Sequence, residues 1–265
     1  MGILNATPDS FHAGSRAGAL PEALAIAARM VDEGVDILDV GGQSTRPGAA
    51  SVGASEEARR VIPVIDAIRN RWPTLPISVD TFHAAVAKEA LDAGADIVND
   101  IGAALLDPDM EGVIAEKGAP CILMHMQGTP QTMQDAPAYG NVTEEVLRFL
   151  EERLTTLRGK GIQHIALDPG FGFGKSLAHN YQLLDAMHRF AATGVPILVG
   201  ISRKSMIHKV LDCTPEAALN GTTALHAWAL DRGAHILRVH DVAEAAECVK
   251  LHQALVDARK QGNDD

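Results

Sequence analysis

Short, continuously apolar segments alternate along this chain with longer segments of helical period, and the alternation occurs eight times. Apolar runs of this kind are typical of parallel strands that are buried on both faces. Gly-Ala or Gly-Val pairs precede several of the runs, where glycine ends a helix and turns the chain. The predicted strands are Met1–Asn5, Ile37–Gly41, Ile77–Asp80, Asp96–Asp100, Cys121–Met126, Ile165–Pro169, Ile197–Ser202 and Ile236–Asp241.

Eight strand–helix units predict an α/β fold of the (β/α)8 TIM-barrel type, formed as a single domain by residues 1–265, with 261–265 as a flexible tail. A doubly wound open sheet is the alternative, but it normally has fewer strands, and no G-x-G-x-x-G turn follows the first strand. The predicted helices include Leu20–Glu33, Ser55–Asn70, Ala84–Ala93, Thr143–Lys160, Asn180–Ala192, Pro215–Asp231 and Val242–Arg259.

Composition and charge narrow the possible partners. Apolar residues make up 46% of the chain but aromatic residues only 4%, so the core must consist mainly of Ala, Val, Ile and Leu. The net charge of −11 argues against a nucleic-acid or anionic-membrane surface, although it allows a phosphate ligand in a locally basic pocket. Three widely spaced cysteines predict buried thiols, and the lack of a signal peptide or a long apolar run predicts a cytoplasmic protein.

Polar side chains interrupt the apolar strands at or near their carboxyl ends. In a (β/α)8 barrel these ends converge on one mouth, where active sites form. Helix capping explains a single such residue but not the whole set. The set comprises Asn5, Asp39, Asp80, Asn99 with Asp100, His125, Asp168, Ser202 with the following Arg203 and Lys204, and Arg238 with His240.

Four of these residues suit a flat heterocycle, namely Asp80, Asn99, Asp168 and Lys204. A carboxylate accepts two hydrogen bonds from an amino-pyrimidine edge, and an ammonium donates to a keto oxygen. Buried aspartates are costly unless a partner or ligand satisfies them. A structural Asp–Lys ion pair is the alternative interpretation.

A second group is cationic and contains Arg46, Arg238 and His240, with Thr45 and Asn5 beside them. Arg238 and His240 are two residues apart in a predicted strand, so their side chains should point to the same face. Because arginine forks match phosphate oxygens, this group predicts a small anion site. A neutral histidine within the barrel wall remains the alternative for His240.

Two glycine-rich stretches lie beside the predicted mouth. Gly41–Gly48 has the composition of a mobile loop that carries a hydroxyl and a guanidinium over a substrate. Asp168–Ser176 is not a P-loop, since Pro169 stands where that motif requires its first glycine. Its alternating glycines and phenylalanines instead predict close backbone approach and a flat apolar wall.

Taken in order, these motifs resemble those of the dihydropteroate synthases, and the resemblance covers nearly the whole chain. Together they are highly specific, whereas each alone would be weak. The matching segments are Met1–Phe11, Gly41–Gly48, Ser78–Thr81, Val98–Ile101, Met124–Gly128, Asp168–Lys175, Ser202–Ser205 and Arg238–Asp241.

The resemblance implies a transferase that joins a dihydropterin pyrophosphate to p-aminobenzoate, a homodimer through residues 215–259, and Mg²⁺ as the cofactor. It implies that Asp80, Asn99, Asp168 and Lys204 grip the pterin, and that Arg238 and His240 surround the pyrophosphate with Asn5 facing the metal. It implies that Thr45, Arg46, Phe173 and Ser205 enclose p-aminobenzoate. The residues expected to carry catalysis are Arg238, His240, Lys204 and Asp80.

Two departures from the family pattern are visible. Gln43 replaces a common Glu, which we expect to alter the electrostatics of the loop rather than the reaction, and His12–Ser15 differs from the usual run. Three other functions remain open at this point. They are a pterin-dependent methyltransferase, a class I aldolase with Lys204 as the Schiff-base amine, and a non-catalytic pterin-binding protein.

Overall fold

Eight parallel strands form the framework of the structure, a computed structural model that describes residues 1–6, 16–43, 52–129, 132–133 and 136–261, with the backbone alone for 16–19. Thr45, Arg46 and His12–Ser15 therefore lie outside the described residues. The strands are β1 (Gly2–Asn5), β2 (Leu38–Gly41), β3 (Ile77–Asp80), β4 (Ile97–Asp100), β5 (Cys121–Met124), β6 (Ile165–Asp168), β7 (Leu198–Val199) and β8 (Ile236–Leu237).

The strands close into a barrel through two seams. β1 to β6 form one six-stranded sheet in sequence order, and β7 pairs with β8. Single parallel bridges join the two sheets, Leu167 to Ile197 on one side and Gly2 to Val239 on the other. Backbone hydrogen bonds of 2.9 Å accompany them, including that from Ile3 N to Val239 O. The predicted (β/α)8 TIM barrel is thereby confirmed, and the open sheet is excluded.

Helices follow the strands around the outside of the barrel, and the described ones exceed those predicted. Two helices, α4 and α8, were not among those predicted. Helix α4 has eight residues with only Met110 and Ile114 buried, which explains why its period was not visible, and α8 has only four residues. The bounds are α1 (Arg16–Asp32), α2 (Ala54–Arg71), α3 (Ala84–Asp92), α4 (Met110–Lys117), α5 (Val142–Gly159), α6 (Leu177–Asp185), α7 (Met187–Ala191), α8 (Ser205–His208), α9 (Leu219–Asp231) and α10 (Val242–Gln261).

The last two strands are shorter than predicted. Both runs were expected to continue for several residues, to Ser202 and to Asp241, but β7 ends at Val199 and β8 at Leu237. After Val199 the chain passes Gly200 and turns at Arg203, whose φ of 55° is incompatible with a strand. The residues beyond these two strands therefore belong to loops at the mouth.

An apolar layer fills the barrel interior beneath the mouth. Its buried members are Met1, Ile122, Ala166 and Leu198, with Ile37, Ile97 and Ile236 packed against them. Because alternate residues of a strand share a face, Asn99, Asp168 and Arg238 lie directly above this layer. The polar groups at the mouth therefore pack on an apolar layer.

The cysteines and the helix hydropathy lie outside the mouth and bear on two expectations from the sequence. The three cysteines are free thiols as predicted, with Cys121 and Cys248 buried and Cys213 partly exposed. Within the part of the chain that the structure describes, no helix is long and apolar enough to cross a membrane.

Candidate active site

Arg238 joins two carboxylates across the mouth of the barrel. Its Nε donates to Asp39 Oδ2 and its Nη2 to Asp80 Oδ2, both at 2.6 Å. Asn99 Nδ2 donates to the same Asp39 oxygen at 3.1 Å. Asp39 is fully buried, whereas Asp80 and the Arg238 side chain are 9% and 19% exposed. Residues from β2, β3, β4 and the end of β8 therefore meet in one network.

The charges in this network oppose a strong effect of burial. Burial raises the pKa of Asp80 to about 7, although Arg238 counteracts this shift. Burial alone would lower the pKa of Arg238, but Asp39 and Asp80 outweigh it and raise that pKa instead. Arg238 is therefore a paired cation here, rather than the uncommitted anion ligand that the sequence suggested.

Lys204 approaches the same space from the loop after β7. Its Nζ donates to Phe171 O at 2.5 Å and lies 4.7 Å from the centre of the Phe173 ring. A Cβ atom placed on Gly200 would lie 3.8 Å from Lys204 Nζ and 3.9 Å from Arg238 Cβ, so the Lys204 amine lies near the base of the Arg238 side chain. Burial lowers the pKa of Lys204 to about 8, and Asp168 opposes the shift.

Asp168 ends β6 and is buried beside the same two cations. Its Oδ1 accepts a hydrogen bond from Gly170 N at 2.7 Å. Burial raises the pKa of Asp168, while Lys204, the Gly170 amide, Lys175 and Arg238 all act against that rise. A ligand that donates hydrogen bonds would satisfy this carboxylate.

His240 lies outside any strand, which corrects the expectation that it shares a strand face with Arg238. The side chain is exposed, and its Nδ1 and backbone N lie 3.0 and 3.2 Å from Ser202 Oγ. The β7 and β8 ends are joined again by Arg203, whose Nε and Nη2 donate to Asp241 at 2.8 and 2.7 Å. This bidentate pair fixes the loops that carry Lys204 and His240.

The remaining predicted residues occupy different positions around the mouth. Asn5 is partly buried at the end of β1, opposite Gly41 in the sheet register. Phe173 is 9% exposed beside Lys204, and Ser205 is exposed at the start of α8. Asp100 instead holds the turn that follows β4, because its carboxylate accepts hydrogen bonds from the amides of Gly102 and Ala104.

Sequence reasoning noticed Asp39 but gave it no role, and it assigned none to Ser202, Arg203 or Asp241. A signal existed for Asp39, since a charge between Leu38 and Val40 must face either the barrel interior or the helices. Gln43 has a structural role that the sequence did not indicate. Its Oε1 accepts a hydrogen bond from Val52 N at 2.6 Å, which joins the chain on the two sides of residues 44–51.

Known proteins share this architecture and sequence. A family model described as pterin binding enzyme matches residues 1–240. The dihydropteroate synthase of Escherichia coli (strain K12) is 47% identical over 262 residues, which cover 98% of this chain and 92% of the relative. The Yersinia pestis dihydropteroate synthase, solved in a sulfonamide drug complex, has a TM-score of 0.91 at 43% identity and covers 97% of this chain and 94% of its own. The Xanthomonas albilineans enzyme with 4-aminobenzoic acid has a TM-score of 0.90 at 44% identity, with 96% and 92% covered. The chain therefore belongs to the dihydropteroate synthases, transferases of folate biosynthesis within the pterin-binding enzyme family.

Proposed function

We propose that the mouth of this barrel condenses 6-hydroxymethyl-7,8-dihydropterin pyrophosphate with p-aminobenzoate, giving 7,8-dihydropteroate and pyrophosphate. The observation that carries this proposal is the meeting of carboxylates, an amide and two cations above one apolar floor. Asp80 and Asp168 offer acceptors to the amino edge of the pterin, and Lys204 offers a donor to its keto oxygen. Asn99 completes this set from the end of β4.

Arg238 takes part through a change of partner. In the structure its Nη2 is bonded to Asp80 at 2.6 Å. A pterin amino group that donates to Asp80 would compete with this bond and release one edge of the guanidinium toward the pyrophosphate. Arg238 and His240 would then stabilise negative charge as the bond between the methylene carbon and the pyrophosphate oxygen breaks. The arylamine nitrogen forms the new bond to that carbon and loses a proton.

Mg²⁺ is proposed as the cofactor from the family resemblance. Among the described residues, no three His, Cys, Asp or Glu side chains group closely enough to hold a metal ion. Asn5 supplies a hard amide oxygen at the end of β1, and Mg²⁺ is commonly held by one or two protein ligands together with substrate phosphates. When bound, the ion would neutralise charge on the departing pyrophosphate.

The side of the site that holds p-aminobenzoate is assigned to Phe173, Ser205, Thr45 and Arg46. Phe173 supports this assignment by its position beside Lys204, and Ser205 by its exposure next to the same lysine. Thr45 and Arg46 are proposed from the sequence resemblance. Since the Yersinia relative forms a sulfonamide complex, we also expect sulfonamides to compete with p-aminobenzoate here.

We propose that two copies of the chain associate through the face formed by the last helices. Several large apolar side chains are exposed there, which favours burial against a second copy. They are Trp228 on α9 and Val249, Leu251 and Leu255 on α10. Light scattering should give the dimer mass for the wild type and the monomer mass for Leu251→Asp. A wild-type monomer at micromolar concentration would contradict the proposal.

A cytoplasmic location remains a proposal from the sequence.

The direct test is to incubate the purified protein with the dihydropterin pyrophosphate, p-aminobenzoate and Mg²⁺. We expect dihydropteroate and pyrophosphate in equal amounts, and no pyrophosphate when p-aminobenzoate is omitted. Arg238→Ala and His240→Ala should lower turnover by several orders of magnitude, with some pterin binding retained. Failure of the wild type to form dihydropteroate would refute the function, and near-normal turnover in both variants would refute the two roles.

A further inference from the structure

Side chains hold the loop between β6 and α6 at successive positions. The loop begins at Gly170, where a Cβ atom would lie 1.9 Å from His125 O, so the backbone is pressed against the end of β5. Four side chains hydrogen-bond to the backbone of the loop. Asp168 Oδ1 accepts from Gly170 N and Asn180 Oδ1 accepts from Gly172 N, both at 2.7 Å. Lys204 Nζ donates to Phe171 O at 2.5 Å, and Tyr139 OH donates to Gly174 O at 2.8 Å.

Lys175 belongs to the same loop and is buried, with 4% of its surface exposed. Its Nζ donates to Phe173 O at 2.9 Å and to His125 O at 3.3 Å, and it lies 3.0 Å from His125 Nδ1. Burial lowers the pKa of His125 to about 3, so the ring is neutral and its Nδ1 is an acceptor when the proton is on Nε2. When Lys175 is protonated, its three N–H donors therefore face three acceptors.

Burying a charged amine costs desolvation free energy, so stability alone does not explain a lysine at this position. An apolar side chain of similar volume often stabilises a protein as well as a buried charge does. Burial indeed lowers the pKa of Lys175 to about 7, although the nearby Asp168 carboxylate acts against that shift. The amine is thus retained at a cost, between a strand end and a loop that both line the mouth.

We propose that Lys175 is a positioning residue for the arylamine side of the active site. Its Nζ joins the end of β5 to the Phe173 carbonyl and thereby holds the backbone that carries the ring against which p-aminobenzoate would lie. This inference rests on the proposed function, because it assigns the Phe173 wall to p-aminobenzoate.

The clamp should affect the two substrates unequally. Asp80 and Asn99 lie at the ends of β3 and β4, and their hydrogen bonds join them to Arg238 and Asp39. Asp168 and Lys204 do contact the loop, but at Gly170 N and Phe171 O, which precede the Phe173 carbonyl that Lys175 holds. Loosening the loop should therefore weaken the site for p-aminobenzoate more than the site for the pterin. A general loss of folding would instead reduce the amount of active enzyme and leave both Michaelis constants unchanged.

The experiment compares steady-state kinetics of the wild type, Lys175→Met and Lys88→Met. Lys88 undergoes the same chemical change at an exposed position on α3, 3.8 Å from Glu116, and serves as the control. We expect Lys175→Met to raise KM for p-aminobenzoate about ten-fold, the equivalent of one hydrogen bond to a charged group, and KM for the pterin less than three-fold. Equal changes in both constants, or none, would overturn the proposal.

Two further measurements keep the test decisive. Tyr139→Phe removes another bond of the same loop without touching the buried amine, and it should raise KM for p-aminobenzoate by roughly three-fold. An unchanged constant in this variant would count against the clamp even if Lys175→Met fails to fold. Amide hydrogen exchange of residues 170–174 needs no turnover, so it separates this inference from the proposed function. It should be at least several-fold faster in the folded Lys175→Met variant, and unaltered exchange would contradict the inference whatever the enzyme activity.

Discussion

Replacement of Arg238 by methionine removes the guanidinium that joins Asp39 to Asp80 but keeps an unbranched side chain. The fully buried Asp39 then loses its strongest donor, and Asp80 loses its own 2.6 Å bond. Removal of one member of a buried ion pair typically costs about 3–5 kcal/mol, because the other charge is left uncompensated. We expect a loss of about 4 kcal/mol in the free energy of unfolding of the ligand-free protein at pH 8.

The loss should depend on pH, and its sign follows from Asp80. Burial raises the pKa of this carboxyl to about 7 from an ordinary value of 3.8, and without Arg238 it should rise further. A group with a raised folded-state pKa contributes stability that is present below its unfolded pKa and lost as the pH rises through the folded pKa. At pH 5.5 the carboxyl of the variant is protonated, so the deficit should be about half that at pH 8.

Thermal unfolding followed by circular dichroism at pH 5.5 and pH 8 measures both quantities. A deficit of about 4 kcal/mol corresponds to roughly 10 °C in Tm for a chain of this size. Arg232→Met is a matched control, because it breaks an exposed ion pair with Asp185 and should cost at most about 1 kcal/mol. Adding Asp39→Asn to Arg238→Met should recover about half of the loss. A deficit below about 1 kcal/mol at pH 8, or one that is the same at both pH values, would refute this account.

Three shorter predictions concern the surroundings of this network. In rate assays, kcat/KM for the pterin should rise near pH 7 as Asp80 ionises and fall near pH 8 as Lys204 loses its proton. The variant Lys204→Arg should lack the fall at alkaline pH, and a flat profile in the wild type would contradict the assigned charges. Burial raises the pKa of Glu57 to about 7 despite the hydrogen bond from Thr81, so this carboxylate destabilises the fold once it is ionised. Glu57→Gln should therefore add about 3 kcal/mol to the free energy of unfolding at pH 8 and almost nothing at pH 4.5, as measured by urea titration. Asp241→Asn should weaken the bidentate pair with the neighbouring loop and lower kcat/KM about ten-fold, with a smaller effect in the exposed control Asp231→Asn; equal effects would argue against a positioning role.

The barrel could be predicted from the sequence because its signal is repeated. Continuous apolar runs mark buried parallel strands wherever they occur, and β1 to β6 begin and end within two residues of the predicted bounds. The ends of β7 and β8 could not be predicted, since Gly200 and the left-handed Arg203 end the pairing through the packing of loops at the mouth. Helix α4 escaped because two buried residues do not define a period.

The site was predictable in its membership and less so in its pairings. Asp80, Asn99, Asp168, Lys204 and Arg238 converge because parallel strand ends must meet at one mouth, which the strand order already implies. Which acid binds which base depends on distances across the barrel, and no sequence pattern encodes these. The bond from Arg238 to Asp39 spans 199 residues, and Lys175 contacts a histidine 50 residues away.

The two seams of the barrel divide the site by chemical character. The carboxylates Asp80 and Asp168 belong to the six-stranded sheet, whereas the basic residues Lys204, Arg238 and His240 follow the two-stranded one. A bound pterin pyrophosphate that engages both sets is consequently a cross-link between the sheets, placed where backbone bridges are fewest. Substrate at a hundred times its Kd would add about 2.7 kcal/mol to the stability of the fold, so occupancy of the mouth and integrity of the barrel are two aspects of one equilibrium.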